Sequence, residues 1–314
     1  MKSLGGFLEL ETRSDNEYHN DLLSFNSGRN SLKALLQNVN IKKIFVPYFI
    51  CQVVIDSIKE FPIEIEYYEI DENFEIDLKD KDIPLDAWLL YVNYFGIKGE
   101  YANTLPYQNL IIDNSQAFYS KPITHHHTFY SPRKFLGVPD GGYLSTPIDI
   151  KTNYLEDNSY DRFSHLLKRV ELGPEKAYSD FLKNEELISG LKVLKMSKLT
   201  SNILKSIDSD SVIEKRKKNY EVYDSLLRKH NKCQLSIHKN DVPLGYIFIS
   251  TNENLRQILL QNKVYVPLYW PDLKDEFGDN SLAYKLSQKL YCLPIDQGLD
   301  IDDINRISTI ILKA

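Results

Sequence analysis

The sequence predicts an α/β protein with a large, mostly parallel sheet, followed by a smaller α+β domain. Short apolar runs recur through the first half of the chain with turn or helical segments between them, and this alternation favours parallel strands. Between about residues 160 and 230 the pattern becomes helical, with charged residues interleaved among Leu and Ile. A strand pattern then returns at 245–249. The predicted division is a large domain at 1–208 and a small C-terminal domain at 209–314.

The predicted elements follow in chain order. A helix is expected over 31–37, directly after a Ser-Gly turn. Strands are predicted at 44–46, 65–68, 88–92, 110–112 and 142–145. Helices are predicted at 211–230, 255–261 and 302–312, the last with its isoleucines on one face.

Composition excludes several classes of protein. With 314 residues, 42% hydrophobic and 26% charged, the chain can form two cores of an ordinary globular protein. A net charge of −6 argues against nucleic-acid binding, since phosphate binders are usually basic. The three cysteines are widely spaced and form no CxxC pair, which favours reduced thiols in a cytoplasmic protein. We expect no signal peptide and no membrane span, because the sequence has neither an apolar N-terminal run nor a long apolar segment.

One acid and one lysine have the spacing of a pyridoxal phosphate site. Asp113 ends the apolar run at 110–112, and Lys134 follows 21 positions later among small and glycine-rich residues. In such a site the lysine forms a Schiff base with the cofactor, and the acid holds a proton on the pyridine nitrogen. The ordinary alternatives are a solvated surface lysine and a solvated acid at a strand end.

A second candidate segment precedes the first predicted helix. Gly28, Arg29 and Asn30 lie where free backbone N–H groups and the helix dipole bind phosphate well. A Ser-Gly turn before a helix is common, so this signal is weak by itself.

Three further side chains have two interpretations each. Tyr48 or Phe49 could stack on a pyridine ring, although an aromatic residue beside a proline is more often part of a core. Arg133 is either a ligand of phosphate or substrate, or a surface cation.

Two charged runs receive ordinary interpretations. Consecutive histidines alternate direction on a strand and rarely converge on one ion, so His125, His126 and His127 predict a solvated loop, and no metal site is expected. The charged run at 214–218 predicts a solvated helix face.

The lysine segment resembles that of the DegT/DnrJ/StrS family of sugar aminotransferases. That family's segment is roughly Ser-Phe-His-x-x-Lys-x-x-x-x-Gly-Glu-Gly-Gly. Lys134 matches its lysine, Asp140 stands where the family has Glu, and Gly141 and Gly142 match the closing glycines.

Other segments match the family in the same order along most of the chain. Asp113, Gln116 and Ala117 match its Glu-Asp-x-Ala-Gln/His-Ala segment. Further similar segments lie at 26–32, 46–49, 91–96, 195–197, 266–271 and 293–295. The shared order, with both the acid and the lysine present, carries the resemblance.

The resemblance implies a fold-type I, aspartate-aminotransferase-like enzyme that depends on pyridoxal 5'-phosphate. Lys134 would bind the cofactor and move the proton, and Asp113 would keep the ring protonated. Gln116 would lie near the ring oxygen. Residues 28–30 would hold the phosphate together with Ser131, or with Thr128 in place of Ser131. The aromatic candidate at 48–49 would stack on the ring.

The resemblance also implies the substrates and the assembly. The family transaminates nucleotide-linked keto sugars with an amino-acid donor, often glutamate, in amino-sugar and surface-polysaccharide (lipopolysaccharide) biosynthesis. Its members are homodimers, and the segment that Lys195 matches reaches the neighbouring subunit's site. Lys195 is therefore a candidate substrate residue, and Met196 with Leu199 is expected to offer apolar contact area.

Several positions depart from the family pattern. Arg29 replaces a Thr, Phe129 a Ser, Asn93 a His, Lys195 an Arg and Val193 an Asn. These departures leave open a second hypothesis, in which the chain binds a sugar nucleotide or a partner without catalysis. Relatives that are dehydratases lack the lysine, so its presence here argues against that reaction.

Overall fold

An eight-stranded sheet forms the centre of the protein. The computed structural model describes residues 5–13, 15–78, 82–151, 153–271, 273 and 281–314. The strands of the sheet are β1 (Leu23–Phe25), β2 (Lys43–Pro47), β3 (Glu64–Ile70), β4 (Ile76–Asp77), β5 (Trp88–Val92), β6 (Asn109–Asn114), β7 (His127–Tyr130) and β8 (Gly142–Ser145). Their spatial order is β1-β8-β7-β6-β5-β2-β3-β4.

The centre of this sheet is parallel and its edges are antiparallel. Strands β3, β2, β5, β6 and β7 run in the same direction, whereas β1, β8 and β4 pair antiparallel with their neighbours. The carboxyl ends of the five parallel strands therefore meet at one edge. The predicted α/β class with a mostly parallel sheet is confirmed.

Helices follow the strands and then dominate the middle of the chain. They are α1 (Gly28–Leu36), α2 (Gln52–Lys59), α3 (Gly99–Thr104), α4 (Ser164–Leu172), α5 (Pro174–Ser189), α6 (Lys198–Lys205) and α7 (Ser209–Leu227), with 3-10 turns at Tyr94–Gly96, Pro132–Lys134, Tyr160–Arg162 and Arg228–His230. Within the part of the chain that the structure describes, no helix combines the length and hydropathy needed to cross a bilayer.

The last third is a small α+β unit. It contains β9 (Tyr246–Ile249), α8 (Leu255–Gln261), α9 (Leu282–Lys289), β10 (Leu290–Leu293) and α10 (Ile301–Lys313), and β9 pairs antiparallel with β10. One face of this two-stranded sheet packs with α7, α8 and α10 in a separate core. Residues of the other face, Ile247 and Cys292, join the core of the large sheet.

The predicted domain boundary falls at a helix start. Asp208 is the N-cap of α7, and its side chain accepts a hydrogen bond from the backbone N–H of Ser211. The division at 208 remains a prediction, and residues after it, such as Ile247 and Cys292, belong to the core of the large sheet.

Three expectations about exposure are wrong. His126 and His127 are buried rather than in a solvated loop, because His127 begins β7 and stacks on Trp88 at 5.4 Å. Arg216, inside the charged run of α7, is 1% exposed because it lies on the helix face that packs inward. Met196 is also buried, against Gly141, and so offers no outer contact area.

Candidate active site

The sheet brings Asp113 and Lys134 to the same edge. Asp113 lies near the carboxyl end of β6, opposite Phe129 on β7 in the parallel register. Lys134 ends the 3-10 turn Pro132–Lys134 that directly follows β7. The two side chains interact electrostatically, and the positive charge of Lys134 lowers the pKa of Asp113.

Asp113 is a buried carboxyl group. It is 5% exposed, and burial raises its pKa, an effect that the charge of Lys134 and hydrogen bonding by Ser115 only partly oppose. Its Oδ1 accepts the backbone N–H of Ser115 at 2.8 Å. A carboxylate in this setting is stabilised by any further cation that comes into contact with it.

The turn that carries Lys134 is well defined, but the side chain is accessible. Pro132 is buried, and its carbonyl accepts the N–H groups of Phe135 and Leu136, each at 2.9 Å. Lys134 itself is exposed. The backbone of the lysine is therefore held by the turn, while its side chain is accessible to solvent.

The N-terminus of α1 lies directly against the lysine segment. A Cβ built on Gly28 would be 3.0 Å from the carbonyl oxygen of Tyr130 and 3.3 Å from Cβ of Ser131. A Cβ on Gly142 would be 2.2 Å from the carbonyl carbon of Ser27, so this crossing requires glycine. The predicted phosphate residues Gly28 and Ser131 are thus neighbours at a helix N-terminus, where backbone N–H groups lack partners within the helix.

Arg29 and Asn30 face different surroundings. The side-chain amide of Asn30 donates to Asn26 Oδ1 at 2.7 Å and to the carbonyl of Lys192 at 2.9 Å, which holds the segment around residue 192 against α1. Arg29 lies close enough to Arg133 for its charge to lower the pKa of that residue.

Arg133 forms an ion pair rather than projecting into solvent. Its guanidinium bonds to Glu185 on α5. Burial lowers the pKa of Arg133 to about 10, and the charges of Arg29 and Arg162 add to this, whereas Asp140 opposes it. The alternative of a surface cation is therefore wrong, and the alternative of a substrate ligand stays a prediction.

Gln116 orders the loop after β5. Its Oε1 accepts the backbone N–H of Phe95 at 2.8 Å, and Phe95 has the left-handed φ of 54°. Asn93, at a family His position, donates to Asn114 Oδ1 at 3.1 Å and accepts from the Lys98 N–H at 2.9 Å. Both amides shape the backbone beside Asp113.

The two aromatic candidates, which follow β2, differ in burial and in the rings they contact. Phe49 is fully buried, 4.4 Å from the Trp270 ring and 5.8 Å from the Tyr94 ring, so it is a core residue. Tyr48 is half-buried and stacks on Tyr67 at 5.2 Å.

Lys195 is exposed, and its neighbours form a buried network. Its backbone pairs with the segment around Glu156. Two residues on, Ser197 caps α6 and donates through its N–H and Oγ to Asp140, at 3.0 and 3.1 Å. Thr200 also donates to Asp140, and Arg162 lies 3.7 Å away.

Two buried residues after position 208, Cys292 and Arg216, were not among the site residues predicted from the sequence. Burial raises the pKa of Cys292 on β10 to about 12, while a hydrogen bond with Tyr269 and the charges of Arg216 and Lys134 oppose the rise. Arg216 lies four residues from Val212 and from Tyr220 on α7, and this spacing was the available signal that Arg216 faces inward.

Comparison with known proteins gives the fold. No protein-family model matches the sequence, and no curated protein matches it. A DegT DnrJ EryC1 StrS aminotransferase from Brucella abortus is 14% identical, with 93% of this chain and 85% of that chain covered and a TM-score of 0.63. The sugar aminotransferase CalS13 from Micromonospora echinospora is 15% identical, with 94% of this chain and 88% of that chain covered and a TM-score of 0.65. DesV from S. venezuelae is 16% identical, with 93% of this chain and 84% of that chain covered and a TM-score of 0.63.

These likenesses confirm the predicted fold. The chain has the fold of the pyridoxal-phosphate-dependent sugar aminotransferases, over more than nine-tenths of its length. The resemblance inferred from the motifs is thereby confirmed at the level of the fold.

Proposed function

We propose that this protein is a pyridoxal-phosphate-dependent aminotransferase acting on a nucleotide-linked keto sugar. The single observation that carries the proposal is the pairing of buried Asp113 with accessible Lys134 at the carboxyl edge of the parallel sheet. Ligands of such sheets bind at that edge. The named structural neighbours, which include sugar aminotransferases, support the same reaction class.

The residues fit the cofactor on two observations. The pKa of buried Asp113 is raised, so the carboxylate would gain from a cationic ring nitrogen beside it. The close approach of Gly28 to Tyr130 and Ser131 leaves a helix N-terminus beside the lysine, which suits a phosphate. When bound, pyridoxal phosphate supplies an electron sink for the carbon that loses or gains the amino group.

The chain's own residues would then have distinct tasks. Asp113 would hold a proton on the ring nitrogen, and Lys134 Nζ would bind the cofactor covalently and later move the proton at the reacting carbon. Gly28, Arg29 and Ser131 would hold the phosphate. Asn30 is a weaker candidate than predicted, because its N–H donates to Ser27 Oγ and its side-chain amide to the carbonyl of Lys192. The core position of Phe49 favours Tyr48 as the aromatic candidate for ring contact.

The finer features of the proposal come from the resemblance. We infer an amino-acid donor, a cytoplasmic homodimer and a role in amino-sugar or surface-polysaccharide biosynthesis. Lys195 is exposed, as a residue reaching a neighbouring subunit would be, and Arg133 remains a candidate substrate ligand. The rival hypothesis, binding without transamination, retains as its support the departures at Arg29, Asn93, Phe129 and Val193.

The test is covalent attachment of the cofactor. Purified protein incubated with pyridoxal phosphate should become yellow, and borohydride reduction should place the adduct on the peptide that contains Lys134. Lys134→Ala should abolish both the adduct and transamination. Lys134→Arg is the matched control, because it keeps a positive charge beside Asp113 but cannot form the covalent bond.

Two results would contradict the proposal. One is a reducible adduct of equal yield in Lys134→Ala. The other is a wild-type protein that binds a nucleotide sugar but never attaches the cofactor, which would favour the rival hypothesis.

A further inference from the structure

A buried arginine on α7 joins the Lys134 turn to the small domain. We propose that Arg216 is a positioning residue, whose guanidinium clamps the turn that carries Lys134 and thereby sets the place of Lys134 in the site. The contacts that form this clamp do not depend on what the protein does. The effect of the clamp on a reaction rests on the function proposed above.

The guanidinium of Arg216 binds one segment of the small domain directly. Its Nε donates to the carbonyl of Pro243 at 3.1 Å and its Nη2 to that of Leu244 at 2.6 Å. Its Cζ lies 4.6 Å from the centre of the Phe135 ring, within the range of a cation–π interaction. Since Phe135 directly follows Lys134, one side chain contacts both the small domain and the lysine turn.

Gln297 completes the clamp from the loop after β10. Its Oε1 lies 3.4 Å from Nη1 of Arg216, and its Nε2 donates to the carbonyl of Phe135 at 3.1 Å. Phe135 is therefore held through its ring by Arg216 and through its carbonyl by Gln297. Its own N–H bonds back to Pro132, so the whole turn around Lys134 is tied to these contacts.

The same segment of the small domain also reaches the Asp113 side. The N–H of Leu244 donates to the carbonyl of Phe95 at 2.8 Å, and the N–H of Phe95 donates to Gln116 Oε1 at 2.8 Å. Gln116 follows Asp113 by three residues. Arg216 therefore closes a ring of contacts that connects the two charged residues of the site through the small domain.

Arginine is the residue type that these contacts require. Burial lowers the pKa of Arg216, because a buried guanidinium loses its hydration, and the charge of Asp296 partly opposes this. Among the described residues, no carboxylate forms a salt bridge with Arg216, so carbonyl oxygens and an aromatic ring hold the cation. Only a planar group with several fixed donors can serve two carbonyls and a ring together.

The test compares Arg216→Met and Arg216→Lys with Arg256→Met. Arg256 is a matched control, because its Cζ lies 5.1 Å from the Tyr291 ring and its Nη1 donates to the Val266 carbonyl at 3.4 Å, wholly within the small domain. The first measurement is hydrogen–deuterium exchange of the full-length protein without added cofactor. This measurement does not depend on any reaction.

Arg216→Met should speed exchange in a peptide spanning 132–138 by about tenfold, which is within the range expected for losing a buried cation–π contact with Phe135. Exchange in β5 and in the β9–β10 ladder should stay unchanged. Arg216→Lys should give an intermediate rate, and Arg256→Met should match the wild type at 132–138. An unchanged rate at 132–138 in Arg216→Met, or an equal increase in β5, would overturn the clamp.

The second measurement is the rate at which added pyridoxal phosphate attaches to Lys134, followed by visible absorbance. We expect Arg216→Met to slow attachment by about tenfold, with Arg256→Met unaffected, because a displaced amine reacts from a poorer geometry. An attachment rate equal to the wild type would overturn the positioning role. If the wild type attaches no cofactor, the proposed function fails, and exchange at 132–138 alone decides the clamp.

Discussion

Asp113 and Lys134 are held in place by opposite means. Asp113 lies in a central strand between β5 and β7, and Ser115, two residues on, bonds its Oδ1 at 2.8 Å. Lys134 lies in a short turn whose next residue is held by Gln297, 162 positions from Phe135. Asp113 is thus held by the ladder of the central sheet and by the loop that follows it, whereas the lysine turn also depends on Gln297 from a distant part of the chain.

This difference indicates where the site can change. Asp113 is part of the sheet ladder, whereas the lysine turn is in contact with Arg216 of α7 and Gln297 of the small domain. A contact network that draws on separate elements couples Lys134 to any shift between them. Changes on the lysine side should therefore act through the fold, and changes at Asp113 should act on chemistry and charge.

The largest expected effect is a loss of stability on the lysine side of the site, caused by removing the carboxylate of Asp140. Asp140→Ala removes the buried acceptor of Ser197 and Thr200 and leaves Arg162 with less compensation for its charge. We expect a loss of about 3 kcal/mol in the free energy of unfolding, measured by urea denaturation. Asp161→Ala, an exposed neighbour, should change little. Equal stabilities of Asp140→Ala and the wild type would show that this network does not hold the segment.

An intermediate effect, on turnover, is expected when the carboxylate of Asp113 is replaced by an amide. Asp113→Asn keeps an acceptor for the Ser115 N–H but cannot hold a proton on the ring nitrogen. Turnover should fall by about 100-fold, within the range for a lost proton-transfer partner, while attachment of the cofactor to Lys134 persists. The measurement is steady-state kcat beside borohydride trapping. Near-normal turnover would remove Asp113 from its proposed role.

The smallest expected effect is on the pH dependence of Tm, and it tests whether changes at Asp113 act through charge. Because burial raises the pKa of Asp113, folding disfavours its ionised form, and the cofactor-free protein loses stability as pH rises through that pKa. Asp113→Asn should therefore raise Tm at neutral pH without cofactor. The gain should shrink as pH falls and Asp113 becomes protonated. A Tm difference that is constant with pH would indicate that the carboxyl charge is not its source.

Most of the sheet followed from local pattern. The apolar run at 88–92 is β5 with the predicted bounds, and 142–145 is β8. Strand β7 begins at the last of three histidines, for which the sequence had indicated a solvated loop. His127 is buried because it stacks on Trp88 and bonds to Thr146 at 2.8 Å, contacts that no local pattern contains.

The candidate site was predictable in part for the same reason. Asp113, Lys134, Gly28 and Ser131 lie within conspicuous segments, and the fold brings those segments together. The partner of Arg133, Glu185, lies 52 positions away on α5, so the ion pair could not be inferred from sequence.

By itself, the sequence determined the alternation of strands and helices and the acid and lysine that the site would need, because apolar periodicity and residue chemistry are local properties. Tertiary structure alone decided which charges are buried. Lys134 is exposed although apolar residues follow it directly, and Arg216 is buried although it lies in a charged run. The physical reason is that burial of a cation depends on carbonyls and rings supplied by remote parts of the chain, whose approach only the packed fold creates.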